Sequence, residues 1–191
     1  MSFFSDMRFR RGCELALFSI VAFLLTGSTV SGQSADGQGF DTQASSYRLF
    51  MLGRHLEDEG ELEAAIIAFR DAARLDGEAA EPLAELSGLL ARAGRADEAI
   101  SAGEEALVRD SQNLTAHRIL GLTYASSAGG REGSSRDATR AISHLSQARG
   151  TLIPDLQVDL TLARLYLRTD AIDDATDLLE QLVRDEPGVT E

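Results

Sequence analysis

Apolar residues along this chain recur at helical rather than strand spacing. Leu49, Leu52 and Leu56 are followed by Leu83, Leu86 and Leu90, and later by Leu162 and Tyr166. Positions three and four apart share one face of a helix, so each set predicts an amphipathic helix with one side buried. Glycines interrupt the pattern at Gly60 and Gly94, where a tight turn with positive φ suits a residue without Cβ. The spacing predicts eight helices in pairs. First helices fall near 46–59, 80–93, 114–127 and 156–169, and second helices near 62–75, 96–109, 137–150 and 172–185.

The pairs repeat. Adding 34 to Leu49, Leu52, Leu56, Gly60, Ala65, Ala72 and Asp76 lands on Leu83, Leu86, Leu90, Gly94, Ala99, Ala106 and Asp110. Of the eight positions compared, only Phe69 changes, to Gly103. In the third unit the first helix keeps the shift, with Leu86 and Leu90 going to Leu120 and Tyr124. Its second helix arrives eight residues late, Ala99 and Ala106 mapping to Ala141 and Ala148. The Gly/Ser-rich stretch 126–135 (SSAGGREGSS) accounts for the delay and is expected to be a loop between the helices. The fourth unit carries Leu162, Ala163, Tyr166, Ala175, Leu179 and Leu182 and closes on Pro187. A period of this length marks a stack of supersecondary units, each burying its apolar face against the next.

The period, the Leu52-Gly53 pair and the run Leu120-Gly121-Leu122-Thr123-Tyr124 resemble the tetratricopeptide repeat family over residues 46–189. Departures are Ser87 for the first-helix Gly, Gly103 for the second-helix aromatic, and Gly77, Ser111 and Ile153 where Pro is usual. Gly103 is expected to leave the second unit's core thin. Gly53 with Ala65, and Gly121 with Ala141, are small where the two helices of a hairpin cross closely. The resemblance implies an all-α fold, an α-solenoid of four antiparallel hairpins wound as a right-handed superhelix, in units 46–79, 80–113, 114–155 and 156–189.

The N-terminal 32 residues carry a different pattern. Arg8, Arg10 and Arg11 precede the uncharged run Leu15–Leu25, and small polar residues follow up to a cleavage position before Gln33. Eleven apolar residues suit a signal peptide and fall short of the roughly 20 needed to span a bilayer. The expected location is therefore outside the cytoplasm, periplasmic or secreted. The alternative is an uncleaved segment that anchors the chain to the membrane. Residues 33–45 are small and polar and predict a flexible linker.

Charge narrows the partners. With 18 basic and 31 acidic residues the net charge is −13, which disfavours nucleic acid. The single cysteine, Cys13, lies in the segment expected to be removed, leaving no thiol chemistry. His55, His117 and His144 show no metal-ligand spacing and suit helix-face or packing roles. The acidic pairs Glu57-Asp58, Glu104-Glu105 and Asp173-Asp174 are adjacent rather than one turn apart and suit solvated faces. No nucleophile elbow or phosphate loop occurs. No catalytic residue, cofactor or metal is expected.

The resemblance implies that stacked first helices line a concave groove for a peptide or partner helix. Their phase assigns Tyr47, Phe50, Met51 and Arg54 to it, then Glu81, Ala84 and Glu85, then Arg118 and Leu122, then Leu160, Arg164 and Arg168. Arg118, Arg164 and Arg168 on one face would favour a ligand with a carboxylate or acidic stretch, unless they pair with nearby acids. Some versions of the repeat hold a chaperone's C-terminal carboxylate through a Lys/Asn clamp. The matching positions here hold Phe50, Arg54, Ala84 and Gly88, so that function is not expected. The last helix has a wide apolar stripe over 172–185, which implies further repeats or self-association. The expected function is a non-enzymatic protein-binding scaffold. The alternative is the recognition module of a longer exported enzyme with its catalytic domain beyond Glu191.

Overall fold

The computed structural model describes residues 35–129, 134–149 and 155–185. The chain divides into two units, Met1–Asp36 and Gly37–Glu191. Nearly all described residues belong to the second. The signal segment and its cleavage position lie outside them.

Among the described residues there are eight helices and no strand. They are α1 (Ala35–Asp58), α2 (Leu62–Leu75), α3 (Glu81–Arg92), α4 (Ala96–Arg109), α5 (Leu114–Gly129), α6 (Ser135–Ala148), α7 (Leu156–Arg168) and α8 (Ile172–Asp185). The all-α solenoid architecture expected from the repeat is therefore present. Helices α4, α6 and α8 pack on α3, α5 and α7, the first helices of their own hairpins, and α2, α4 and α6 pack on the first helix that follows; α3, α5 and α7 also touch in series. Helix α2 meets α1 where Phe69 lies against Gly53 and Phe50.

Two expectations are corrected at helix ends. Helix α1 begins at Ala35, so residues 35–45 are helix rather than linker. A helix already nucleated by packing extends at little further cost, even through small polar residues. The packed half supplies that nucleus: Ser46 is buried and its Oγ donates to the Ala72 carbonyl at 2.8 Å. Helix α5 likewise runs through Ser126–Gly129, the first part of the predicted loop. Ala128 is buried there, and Ser127 Oγ donates to the Thr123 carbonyl one turn back. Ser134 caps α6, accepting from Asp137 N at 3.0 Å and donating to its carboxylate at 2.8 Å.

Two apolar clusters form the core. One joins Ile66, Phe69, Leu83, Leu86, Leu89 and Leu90, and the other joins Leu120, Tyr124, Leu145, Leu162 and Leu178. Leu107 packs against both and makes them continuous. The hairpins close on glycine. A Cβ at Gly53 would stand 2.7 Å from the Phe69 ring, and one at Gly121 would stand 2.5 Å from Leu145 Cδ2. The second unit is not thin at Gly103. Leu120 of the third unit fills the space, its Cγ lying 2.8 Å from where a Cβ would sit. Ser87, in place of the usual glycine, is fully buried and donates to the Ala99 carbonyl at 2.7 Å. The polar atom is thus satisfied across the crossing.

Gly60 and Gly94 adopt φ of +81° and +75°, as the turns require. On α8, Ala175 and Leu178 are buried, while Ile172, Leu179 and Val183 stay exposed. No helix among the described residues is long and apolar enough to cross a membrane.

Candidate functional site: the first-helix face

Contacts between successive first helices define one continuous face. Arg54 on α1 pairs with Glu85 on α3 at 2.9 Å, and Arg92 on α3 pairs with Glu57 on α1. Glu81 accepts from Asn113 Nδ2 at 3.2 Å, at the start of α5. Arg118 on α5 donates through Nε to Asp155 at 2.5 Å and through Nη2 to Gln157 at 3.1 Å. Residues three and four apart then extend each row, so that Tyr47 and Met51 join Arg54, and Arg164 and Arg168 join Gln157.

Several residues assigned to the groove behave differently. Ala84 is 1% exposed and belongs to the core, because α3 is flanked by helices on both sides. Phe50 is only half-buried, with its ring 5.7 Å from that of Phe69, and thus faces the hairpin interior. Leu122 packs partly against the second core cluster. Tyr47 and Met51 are exposed, at 63% and 48%.

Charge on this face is mostly consumed internally. Arg54 and Glu85 pair between α1 and α3, Glu81 accepts from Asn113 just before α5, and Arg118 bonds Asp155 and Gln157 at the start of α7. Arg118 is held because Asp155, the N-cap of α7, stands beside it while also accepting from Gln157 N and Val158 N. Burial pushes the Asp155 carboxyl up, but these three donors outweigh it and leave it below the ordinary carboxylate value. Of the three arginines expected to act together, Arg164 and Arg168 are exposed and carry no ion pair or hydrogen bond among the described residues. Among the described residues, the charge on this face without a partner is therefore a basic pair on α7, with an exposed apolar patch at the α1 end.

Behind this face the structure assembles a cluster that residue spacing did not reveal. His117 Nδ1 lies 2.9 Å from His144 Nδ1, and Tyr124 stacks on His144 at 5.9 Å between centroids. Tyr124 Oη donates to Glu104 at 2.9 Å, and Arg140 lies over the Tyr124 ring at 5.3 Å. The signal was the insertion itself, which sets residues 117 and 144 at a separation no single helix reports. His55 stays apart, on the exposed side of α1, near Glu59. Among the described residues no group of three or more His, Cys, Asp or Glu is placed to hold a metal ion.

No protein-family model matches the chain, and no curated protein sequence does. Solved structures do. The structure of MamA is similar with a TM-score of 0.62 at 20% identity, covering 74% of this chain and 78% of that one. PilF of Pseudomonas aeruginosa is similar with a TM-score of 0.61 at 20% identity, over 75% of this chain and 62% of that one. The first tetratricopeptide domain of Spaghetti (RPAP3), bound to an HSP90 peptide, gives a TM-score of 0.58 at 11% identity, over 67% and 98%. Likeness at these identities establishes a shared tetratricopeptide-type fold.

Proposed function

We propose that the chain is a non-enzymatic scaffold that holds a partner protein segment along its first-helix face. The observation that carries this reading is the unpaired basic pair Arg164 and Arg168. Among the described residues, it stands on a face where Arg54, Glu85 and Arg118 are already matched by neighbouring helices. Unpaired guanidinium groups on a rigid surface favour carboxylates, which they can bind bidentately. At the far end, Tyr47 and Met51 offer apolar area suited to anchoring a side chain. A segment with an apolar end and an acidic end matches both.

The fold supports the same reading, since a structural neighbour is seen with a peptide bound. Fold alone does not name a partner. Action outside the cytoplasm is part of the proposal and rests on Arg8, Arg10, Arg11 and the run Leu15–Leu25.

The test is capture of partners from an envelope extract by the chain and by a Tyr47→Ala/Arg164→Ala/Arg168→Ala variant. Selective loss of a bound protein from the variant, with its helical content unchanged, is the expected result. Identical capture by both proteins would remove the first-helix face from consideration. Detection of the chain in the cytoplasmic fraction alone would remove the proposed location.

A further inference from the structure

The contact between His117 and His144 contains a directional chain of hydrogen bonds. His117 is 4% exposed, and its Nε2 lies 3.1 Å from the Ser111 carbonyl in the turn before α5. A carbonyl only accepts, so this nitrogen carries the hydrogen and His117 Nδ1 has a lone pair. His144 Nδ1, at 2.9 Å, must then donate to it. With both rings neutral, the hydrogens run from His144 to His117 to Ser111, and His144 Nε2 is left bare.

That arrangement accepts one proton and refuses a second. The first enters at His144 Nε2 and leaves every bond in place. The second would have to enter at His117 Nδ1, where the His144 hydrogen already points, so the bond between the rings must break. Two imidazolium rings with centroids 5.2 Å apart would also repel.

The surroundings make protonation unfavourable. Burial holds His144 below the ordinary histidine value, and the positive fields of His117 and Arg140 add to this against the opposing field of Glu104. Glu104 faces the pair from α4, Tyr124 from α5 and Arg140 from α6. Helix α7 packs on the other flank of α6, where its Asp159 holds Arg149 and its Tyr166 meets Ser146. In the α4–α5 turn, Asp110 accepts from Gln112 N and Asn113 bonds Glu81 and Ala116 N.

We infer that the His117–His144 pair is a pH-sensitive latch, fastening both helices of the third hairpin to the turn before them and releasing when it takes a second proton. The neighbouring Arg118 sits on the same turn of α5 and bridges to α7, so release loosens that bridge as well.

Side-chain 15N NMR and hydrogen exchange on the full chain test the latch. Above about pH 7 His144 should appear as the Nδ1–H tautomer and His117 as Nε2–H. On acidification the first protonation should cost little amide protection in α5 and α6, only what the lowered proton affinity of His144 entails, since every bond stays in place. The second should coincide with a further and larger fall in that protection, about tenfold per pH unit over the range where the opened chain takes up the proton and the latched one does not, ahead of α2 and α3. A His144→Gln variant keeps a donor towards His117 without titrating, and should hold its α5 and α6 protection through the same range. The latch is refuted by other tautomers, by two protonated rings with protection intact, or by a His144→Gln chain that opens at the parent's pH. Should that variant fail to fold, the tautomer and exchange results on the parent decide alone.

Discussion

Gly121 and Leu145 meet so closely that a Cβ on the glycine would lie 2.5 Å from Leu145 Cδ2 and 3.1 Å from its backbone nitrogen. Alanine favours a helix over glycine by about 1 kcal/mol, whereas forcing an atom into a packed contact costs about 1–3 kcal/mol. The backbone atom decides between them, since α6 itself would have to shift. Gly121→Ala should lower stability by about 1–2 kcal/mol, read from the urea midpoint at constant slope. Gly129→Ala has no neighbour within 4 Å and serves as the control, with stability unchanged or slightly raised.

Arg109 joins the first two units by a single guanidinium nitrogen. Its Nη1 donates to the carbonyls of Ala73, Asp76 and Ala79 at 3.1, 3.0 and 3.0 Å, while Nη2 holds Glu105 at 2.8 Å. Ala73 is among the last carbonyls of α2, which lack partners within the helix. The side chain is only 14% exposed, so water would replace these bonds poorly. Bonds from a charged donor are worth about 1.5–3 kcal/mol each and do not add. Arg109→Ala should therefore lose about 2–3 kcal/mol in denaturant unfolding, and Arg109→Lys should recover part of it.

The hairpins were legible in sequence because small residues and turn glycines fix both phase and length. Helices α2, α4 and α8 span the residues that the spacing predicts, 62–75, 96–109 and 172–185. The early start of α1 was not legible, because polar composition does not say whether a neighbouring packed segment will propagate a helix. On the candidate site, the sequence supplied the charges of Arg54, Glu85 and Arg118 without their pairing. Those pairs join helices far apart in the chain, 31 residues for Arg54–Glu85 and 37 for Arg118–Asp155. The second lies across the insertion and follows no fixed period. The histidine contact was hidden for the same reason.

Asp155 should make stability depend on pH in the acid range. Its carboxyl lies below the ordinary value of 3.8 in the folded chain, so the unfolded chain binds the proton more readily. Its contribution is present above that value and is lost as pH falls through the folded-state value. Asp155→Asn keeps a capping oxygen for α7 but gives up the charge facing Arg118. The stability gap between parent and variant should be largest near neutral pH and close as pH falls through the folded-state value of Asp155. A gap that stays constant with pH would show that the Arg118 pairing contributes nothing.

One turn is built against its residue type. Asp170 has φ of +63°, while Gly60 and Gly94 have +81° and +75°. Each stands two residues before the second helix of its unit, before Ile172, Leu62 and Ala96 respectively. A Cβ in this region costs about 1 kcal/mol, less for aspartate than for most residues, and glycine avoids it at some loss of chain entropy on folding. The two substitutions should act in opposite directions. Gly94→Ala should destabilise by about 1 kcal/mol, although nothing lies within 4 Å of the added carbon. Asp170→Gly should stabilise by up to about 1 kcal/mol, seen as a higher thermal midpoint. If Asp170→Gly instead lowered the midpoint, the aspartate would be contributing more to the α7–α8 turn than its backbone strain removes.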